Sequence, residues 1–188
     1  MLREMKKQRT HHFVLVLRGI SRPDDRIEDA LYNAGCDDAL LAFRNEVAYL
    51  EFDRKAATFE AAIVSAVHDV EHADPQIAVS CVEPSDLVSA SEIARRLDCT
   101  REYVRLLVQG KRGEGGFPAP LSGVTSTNLL WSWAAVLKWL SEHDRLPDNS
   151  ELARAETIRD MNGALGDRSY PAVARRRREL MQRLRRAR

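Results

Sequence analysis

The chain has few of the residues from which extracellular and metal-binding folds are built. Its 188 residues include three cysteines, Cys36, Cys81 and Cys99. They are isolated and odd in number, which excludes a disulfide framework and a CxxC metal knuckle. Cys36 and Cys81 read most simply as small buried residues. No apolar run approaches the ~20 residues that cross a bilayer, and the stretch MLREMKKQRTHH lacks the apolar core of a signal peptide. A cytoplasmic protein with no membrane partner is expected. Nucleophile elbow, P-loop, dinucleotide fingerprint and HExxH are all missing. Paired carboxylates such as Asp24-Asp25 and Asp37-Asp38 fall at helix or strand ends, where acids are common. Neither enzymatic activity nor a cofactor is expected.

What is present is an uneven distribution of charge. The net charge of +1 hides 10 basic against 16 acidic residues from Met1 to Asp86, and 19 against 12 from Leu87 to Arg188. The polyanion-binding half is therefore the C-terminal one, and the N-terminal half, which DNA repels, must do something else.

The N-terminal half has a regular pattern. After a start expected to be mobile through residue 11, Phe13 to Leu17 is a β-branched and apolar run suited to a central strand. Ile27, Ala30, Leu31 and Ala34 mark a short helix that Gly35 ends. Ala39 to Arg44 and Val47 to Asp53 form a hairpin around Asn45-Glu46. A longer helix over Lys55 to His72 carries the stripe Phe59, Ile63, Val67 and Val70, and Ile77, Val79 and Cys81 alternate in a last strand. This order points to a ferredoxin-like βαββαβ sandwich over residues 12–86. It resembles small regulatory and heavy-metal-associated domains, but SRPDD stands where a metal-delivery domain has its CxxC. Dimerisation or partner binding is the favoured role. A small-molecule effector is the other reading, with Asp24-Asp25, Arg18 and Arg22 as candidate contacts. His68 and His72 have the i, i+4 spacing of a metal pair but no evident third ligand, so a surface pair is expected.

The most specific stretch runs from Leu87 to Leu140. Ser89 and Glu92 are spaced as a capping box. A first helix places Ile93 and Leu97 on one face, leaving Ser91, Arg95 and Arg96 outward. Thr100 caps a second helix that Gly110 stops. With Val104 and Leu107 turned inward, Thr100, Arg101, Glu102, Tyr103, Arg105 and Gln109 are left at or near the exposed side. Arginine and glutamine can bond base edges in a major groove, while Thr100 and the helix N-terminus suit a phosphate. Lys111 and Arg112 open a glycine-rich loop suited to close approach to a phosphate backbone. Leu121–Val124 and Leu129–Trp131 flank Thr125, Ser126, Thr127 and Asn128 as a hairpin, and Ser132 caps a closing helix anchored by Trp133 and Trp139.

SASEIARRL, TREYVRLLVQGKR, GGFPAP and LLWSWAAVLKWL, taken in this order, resemble the winged helix-turn-helix modules of the MerR-like, AlpA and phage excisionase type. The match covers about a third of the chain. It implies DNA binding through the second helix and a wing at residues 125–127. Two positions depart from the pattern: Asp98 stands where such turns often have glycine, and the wing tip TSTN lacks basic residues.

Residues 144–188 read as a linker around Pro147, an amphipathic helix through Leu152, Ala155, Ile158, Met161 and Leu165 that Gly163 and Gly166 weaken, and a basic tail. In that tail Arg175, Arg176, Arg177, Arg178, Arg183, Arg185, Arg186 and Arg188 face the single acid Glu179. Such a tail attracts nucleic acid independently of sequence, DNA being favoured over RNA.

The expected fold is thus α+β: a ferredoxin-like sandwich, a winged helix-turn-helix over 87–143 and a helical basic tail. The expected function is that of a cytoplasmic, nucleoid-associated regulator that binds double-stranded DNA as a homodimer and represses by occupying an operator. An excisionase-like DNA-bending factor and an antitoxin that controls its own operon are the alternatives.

Overall fold

A computed structural model describes residues 8–146 and 148–186. Residues 1–7 of the start expected to be mobile, Pro147 of the linker and Arg188 of the tail lie outside them. The chain is α+β and divides into two compact units. The first joins the described parts of Met1–Pro84 and Asp160–Arg188; the second is Ser85–Arg159.

In the first unit the elements follow as β1 (Arg9–Arg18), α1 (Asp25–Asn33), β2 (Ala39–Arg44), β3 (Val47–Ala56), α2 (Phe59–Ala73) and β4 (Ala78–Glu83). The four strands form one antiparallel sheet in the order β2-β3-β1-β4. β1 starts four residues before the apolar run at Phe13, because Arg9 to His12 pair across to Ala56 through Asp53. Backbone pairing continues there after the hydrophobic signal has ended, and the His12 ring pairs with the Asp53 carboxylate across the strands. For the same reason α2 starts only at Phe59, after Thr58 accepts from the Ala61 N–H as its cap.

The core of this unit alternates along the strands and follows the helix period along α2. Phe13, Leu15, Leu17, Leu50 and Phe52 are buried, as are Phe59, Ala62, Ile63, Ala66, Val67 and Val70 of α2. β4 breaks the simple alternation. Val16 pairs with Cys81 but Leu17 with Val79, so Ser80 is an extra residue at a bulge. The bulge reverses the phase: Val79 and Val82 are buried, and Cys81 is left half-buried.

One charged side chain lies in this interior. Arg54 of β3 is only 6% exposed. Its Nε and Nη2 donate to the two carboxylate oxygens of Asp38 at 2.9 and 2.8 Å, and Nη2 also donates to the Gly35 carbonyl at 2.6 Å. Its Nη1 donates to Asp69 at 2.5 Å and to the Ser65 hydroxyl at 3.3 Å. The ring of Phe52 lies 4.9 Å from the guanidinium carbon.

The free side of β4 is closed by side chains. The Asn162 amide accepts from the Val82 N–H at 2.7 Å and donates to the Val82 carbonyl at 2.9 Å. Glu71 accepts from the Val79 N–H at 3.1 Å. Asn162 belongs to α6 (Ser150–Ser169), which is followed by α7 (Pro171–Arg186). Gly163 and Gly166 do not interrupt α6. It is held between them by buried Leu165 and before them by Asn162, which outweighs the ~1 kcal/mol each glycine costs a helix.

The second unit holds β5 (Leu87–Ser89), α3 (Ala90–Arg96), α4 (Arg101–Val108), β6 (Leu130–Ser132) and α5 (Trp133–Glu142). Its core gathers Val88, Ile93, Val104, Leu107 and Leu137 around Trp131, Trp133 and Trp139. All three tryptophans pack inside. Asp86 joins the sheet to α5: its carbonyl accepts from the Trp133 N–H at 2.7 Å and its carboxylate from the Ala134 N–H at 2.8 Å. The hairpin expected from residues 121–131 is reduced to the bridge between Ser122 and Leu130, because β6 takes β5 as its strand partner. Gly123 makes the return tight, since a Cβ there would meet the Asn128 carbonyl oxygen at 2.0 Å.

Removing the Arg54 guanidinium leaves Asp38 and Asp69 facing each other without a counter-charge. Arg54→Ala is expected to cost about 3 kcal/mol of folding stability in chemical denaturation. Arg54→Lys should recover less than half of that, because an ammonium cannot make the paired bonds to Asp38. A loss within experimental error for Arg54→Ala would contradict the role assigned to this cluster.

Candidate nucleic-acid interface

Short-range capping sets the geometry of the second unit's surface. Ser89 Oγ accepts from the Glu92 N–H at 3.2 Å, which is half of the expected capping box. The Glu92 carboxylate turns instead to Arg95, at 3.0 and 2.7 Å, and to Arg96 at 2.8 Å. Arg96, expected outward, is thereby drawn inward against Trp133, with its guanidinium carbon 5.1 Å from the ring centre. Arg95 stays exposed.

Between α3 and α4 the chain reverses at Asp98, whose φ is 47°. This left-handed conformation is the one glycine usually supplies; aspartate is among the few other residues that adopt it at modest cost. Thr100 Oγ1 then accepts from the Tyr103 N–H at 3.1 Å and starts α4. Gly110, at φ 64°, ends it, with the Lys111 N–H reaching back to the Leu106 carbonyl at 2.9 Å.

With Val104 and Leu107 buried, α4 exposes Arg101, Glu102, Arg105 and Gln109. These four differ in readiness. Arg105 is held by the Glu102 carboxylate through bonds of 2.7 and 2.5 Å, and Glu102 is in turn held below the ordinary carboxylate range by Arg105. Tyr103 is half-buried between two arginines, with Arg112 5.3 Å above its ring and Arg145 donating to its hydroxyl at 3.2 Å. It therefore positions Arg112.

Arg101 lines a concavity of about 470 Å³ with Ser89, Ala90, Ser91 and the segment Thr127 to Trp131. The fold thus brings together three residues singled out from sequence, Ser91, Arg101 and Thr127, and adds Asn128, which composition alone gave no reason to choose. Thr125 and Ser126 are exposed on the same loop. Ser126 is occupied locally: its hydroxyl donates to the Gly123 carbonyl and accepts from the Asn128 N–H. The glycine-rich loop is pinned by the Trp139 indole N–H on the Gly115 carbonyl at 2.9 Å, leaving Lys111 and Arg112 exposed at its start.

In the first unit, Arg175 to Arg178, Arg183, Arg185 and Arg186 are exposed along α7. Arg177 pairs with Asp167 at 2.6 Å and Arg176 with Glu179 at 3.4 Å. Asp24, a candidate effector contact, is the cap of α1 and is bound by Arg26. The rings of His68 and His72 stack with centroids 4.0 Å apart. Among the described residues, no group of three or more His, Cys, Asp or Glu is placed to hold a metal, and no helix is long and apolar enough to cross a membrane. No family model, curated protein or solved structure matches the chain.

The Glu92 contacts carry a pH signature. Bonds from Arg95 first and Arg96 second bring its pKa from 4.5 to about 2. A carboxyl with a lower pKa in the folded than in the unfolded chain adds stability that is fully present above the unfolded value and is lost as pH falls through the folded one. Because Arg95 is open to solvent, the difference in stability between the chain and Glu92→Gln is expected to be only about 1 kcal/mol at neutral pH. It should vanish between pH 4.5 and about 2. A difference that stays constant over that range would remove the ion pairs from the account.

Proposed function

We propose that the chain is a sequence-specific double-stranded DNA-binding protein that pairs through its N-terminal unit and represses by occupying an operator. In this reading the second unit is a winged helix-turn-helix and the first, with its β1-α1-β2-β3-α2-β4 order, a ferredoxin-like assembly domain. The observation that carries it is the pair of short helices meeting at the left-handed Asp98 turn, with α4 presenting Arg101 beside the Thr127–Trp131 segment across one concavity. A helix with buried Val104 and Leu107 and an outward arginine at its first turn has the form needed to reach guanine in a major groove. The first N–H groups of a helix have no partner within it and suit a neighbouring phosphate.

Arg101 is the principal base-reading side chain. Arg105 must first leave Glu102, so its net contribution is smaller. The arginines of α7 supply affinity that does not depend on sequence, and two copies supply the two recognition helices that a symmetric operator requires.

The test is selection of bound sequences from a random DNA pool at near-physiological salt, followed by affinity measurements on the selected site. Arg101→Ala is expected to weaken binding by about 10- to 100-fold on that site and little on scrambled DNA; Arg105→Ala should cost several-fold less. Replacing Arg175 to Arg178 with alanine should weaken both DNAs alike and flatten the salt dependence. Failure to enrich any sequence, or an Arg101→Ala variant that still discriminates, would rule the reading out.

A further inference from the structure

The first unit contains a groove of about 510 Å³ between α2 and the later part of α6, outside every residue assigned above to DNA. Its size falls in the range of small-molecule sites, and its two sides differ in chemistry. The floor is hydrocarbon from Val64, Val67, Met161, Ala164 and Leu165. Val64, beside the covered α2 stripe, is itself 52% exposed. The polar rim consists of His68, Glu71, His72 and Arg168.

The rim is already ordered. Arg168 Nη2 donates to Glu71 Oε1 at 2.6 Å, and the same oxygen accepts from the Val79 N–H at 3.1 Å. Glu71 is thus engaged by the sheet edge and by one donor of Arg168, while the guanidinium stays half-exposed with further N–H groups. The two imidazoles stack at 4.0 Å and 23°. His72 Nδ1 lies 3.0 Å from the His68 carbonyl, within hydrogen-bond reach of it. His68 Nδ1 lies 3.7 Å from Asp69. The stack is a flat surface set beside a cation, over an apolar floor.

We propose that this groove binds a small aromatic carboxylate: its ring lies on the hydrocarbon floor against the His68–His72 stack, and its carboxylate takes the remaining donors of Arg168. An amine is disfavoured, because the one acid of the rim is already bonded to Arg168 and to the strand. A neutral hydrocarbon would leave the guanidinium without its second partner. A planar carboxylate matches the fork of Arg168, and a ring matches the imidazole faces. The proposal concerns the first unit alone and stands or falls independently of the reading as a DNA-binding protein.

The experiment titrates 1-naphthoate, with 1-naphthamide as its uncharged counterpart, into the full chain while the histidine ring resonances are followed by NMR. Naphthoate is expected to shift the His68 and His72 signals saturably below about 1 mM, an affinity of roughly 4 kcal/mol. Naphthamide should bind at least about tenfold more weakly, and Arg168→Gln should lose a similar factor for naphthoate. Ala164→Phe, at an exposed helical position that fills the groove, provides a second variant should Arg168→Gln disturb folding; it should abolish the shifts with the circular dichroism spectrum unchanged. Shifts absent up to about 5 mM naphthoate, equal binding of the amide, or undiminished binding to the folded variants would overturn the proposal.

Discussion

The first unit is organised around a charge that water cannot easily reach. Burial works against the guanidinium of Arg54, and only the bonds from Asp38 and Asp69 hold its pKa above the ordinary arginine value. Those two acids, Ser65 and the Gly35 carbonyl lie on the α1–β2 connection and on α2, so a single side chain of β3 fixes where both attach to the sheet. An apolar residue could fill the same space, but it would not define which neighbours belong there. Cys36, buried beside the cluster, illustrates the environment: desolvation first of all pushes its thiol up to about 11. It is a neutral packing group under ordinary conditions, not a nucleophile.

The second unit solves the same problem with aromatic volume. It has few residues, and its core depends on three tryptophans, two of which have their polar ends disposed of locally. The Trp131 and Trp139 indoles donate to the carbonyls of Pro118 and Gly115. The glycine and proline loop is therefore a wall of the core, with Phe117 edge-on to Trp139 at 5.2 Å. The left-handed Asp98 turn and the Thr100 cap fix the start of α4, and with it the position of Arg101. The exposed face of α4 is thus a by-product of how the small core is closed.

What could be read from sequence was local. The capping residues Ser89, Thr100 and Ser132, the stripe of α2, the β2–β3 turn and the inward tryptophans follow from spacing and side-chain chemistry within a few positions. What escaped depended on distant partners. The Ser80 bulge, which moves Cys81 out of the core, is set by β1. The strand taken by Leu130 to Ser132 is set by Leu87 to Ser89. Asn162 and Val82 are 80 residues apart and Arg168 and Glu71 are 97 apart, and no periodicity connects them. The outward face of α4 could be listed in advance, but not the capture of Arg105 by Glu102 or the contribution of Asn128.

The side-chain bonds along β4 also bear on how copies of this sheet can meet. A strand edge with unoccupied N–H and carbonyl groups is a site for another strand, and a sheet with two such edges can lengthen without limit. Here Asn162 and Glu71 occupy one edge, whereas the apolar β2 at the other has no comparable cover among the described residues. The two edges of the sheet are therefore not equivalent. Two copies joined edge to edge through β2 would leave only covered β4 edges outside, so growth stops at the pair and a fibre has no next step.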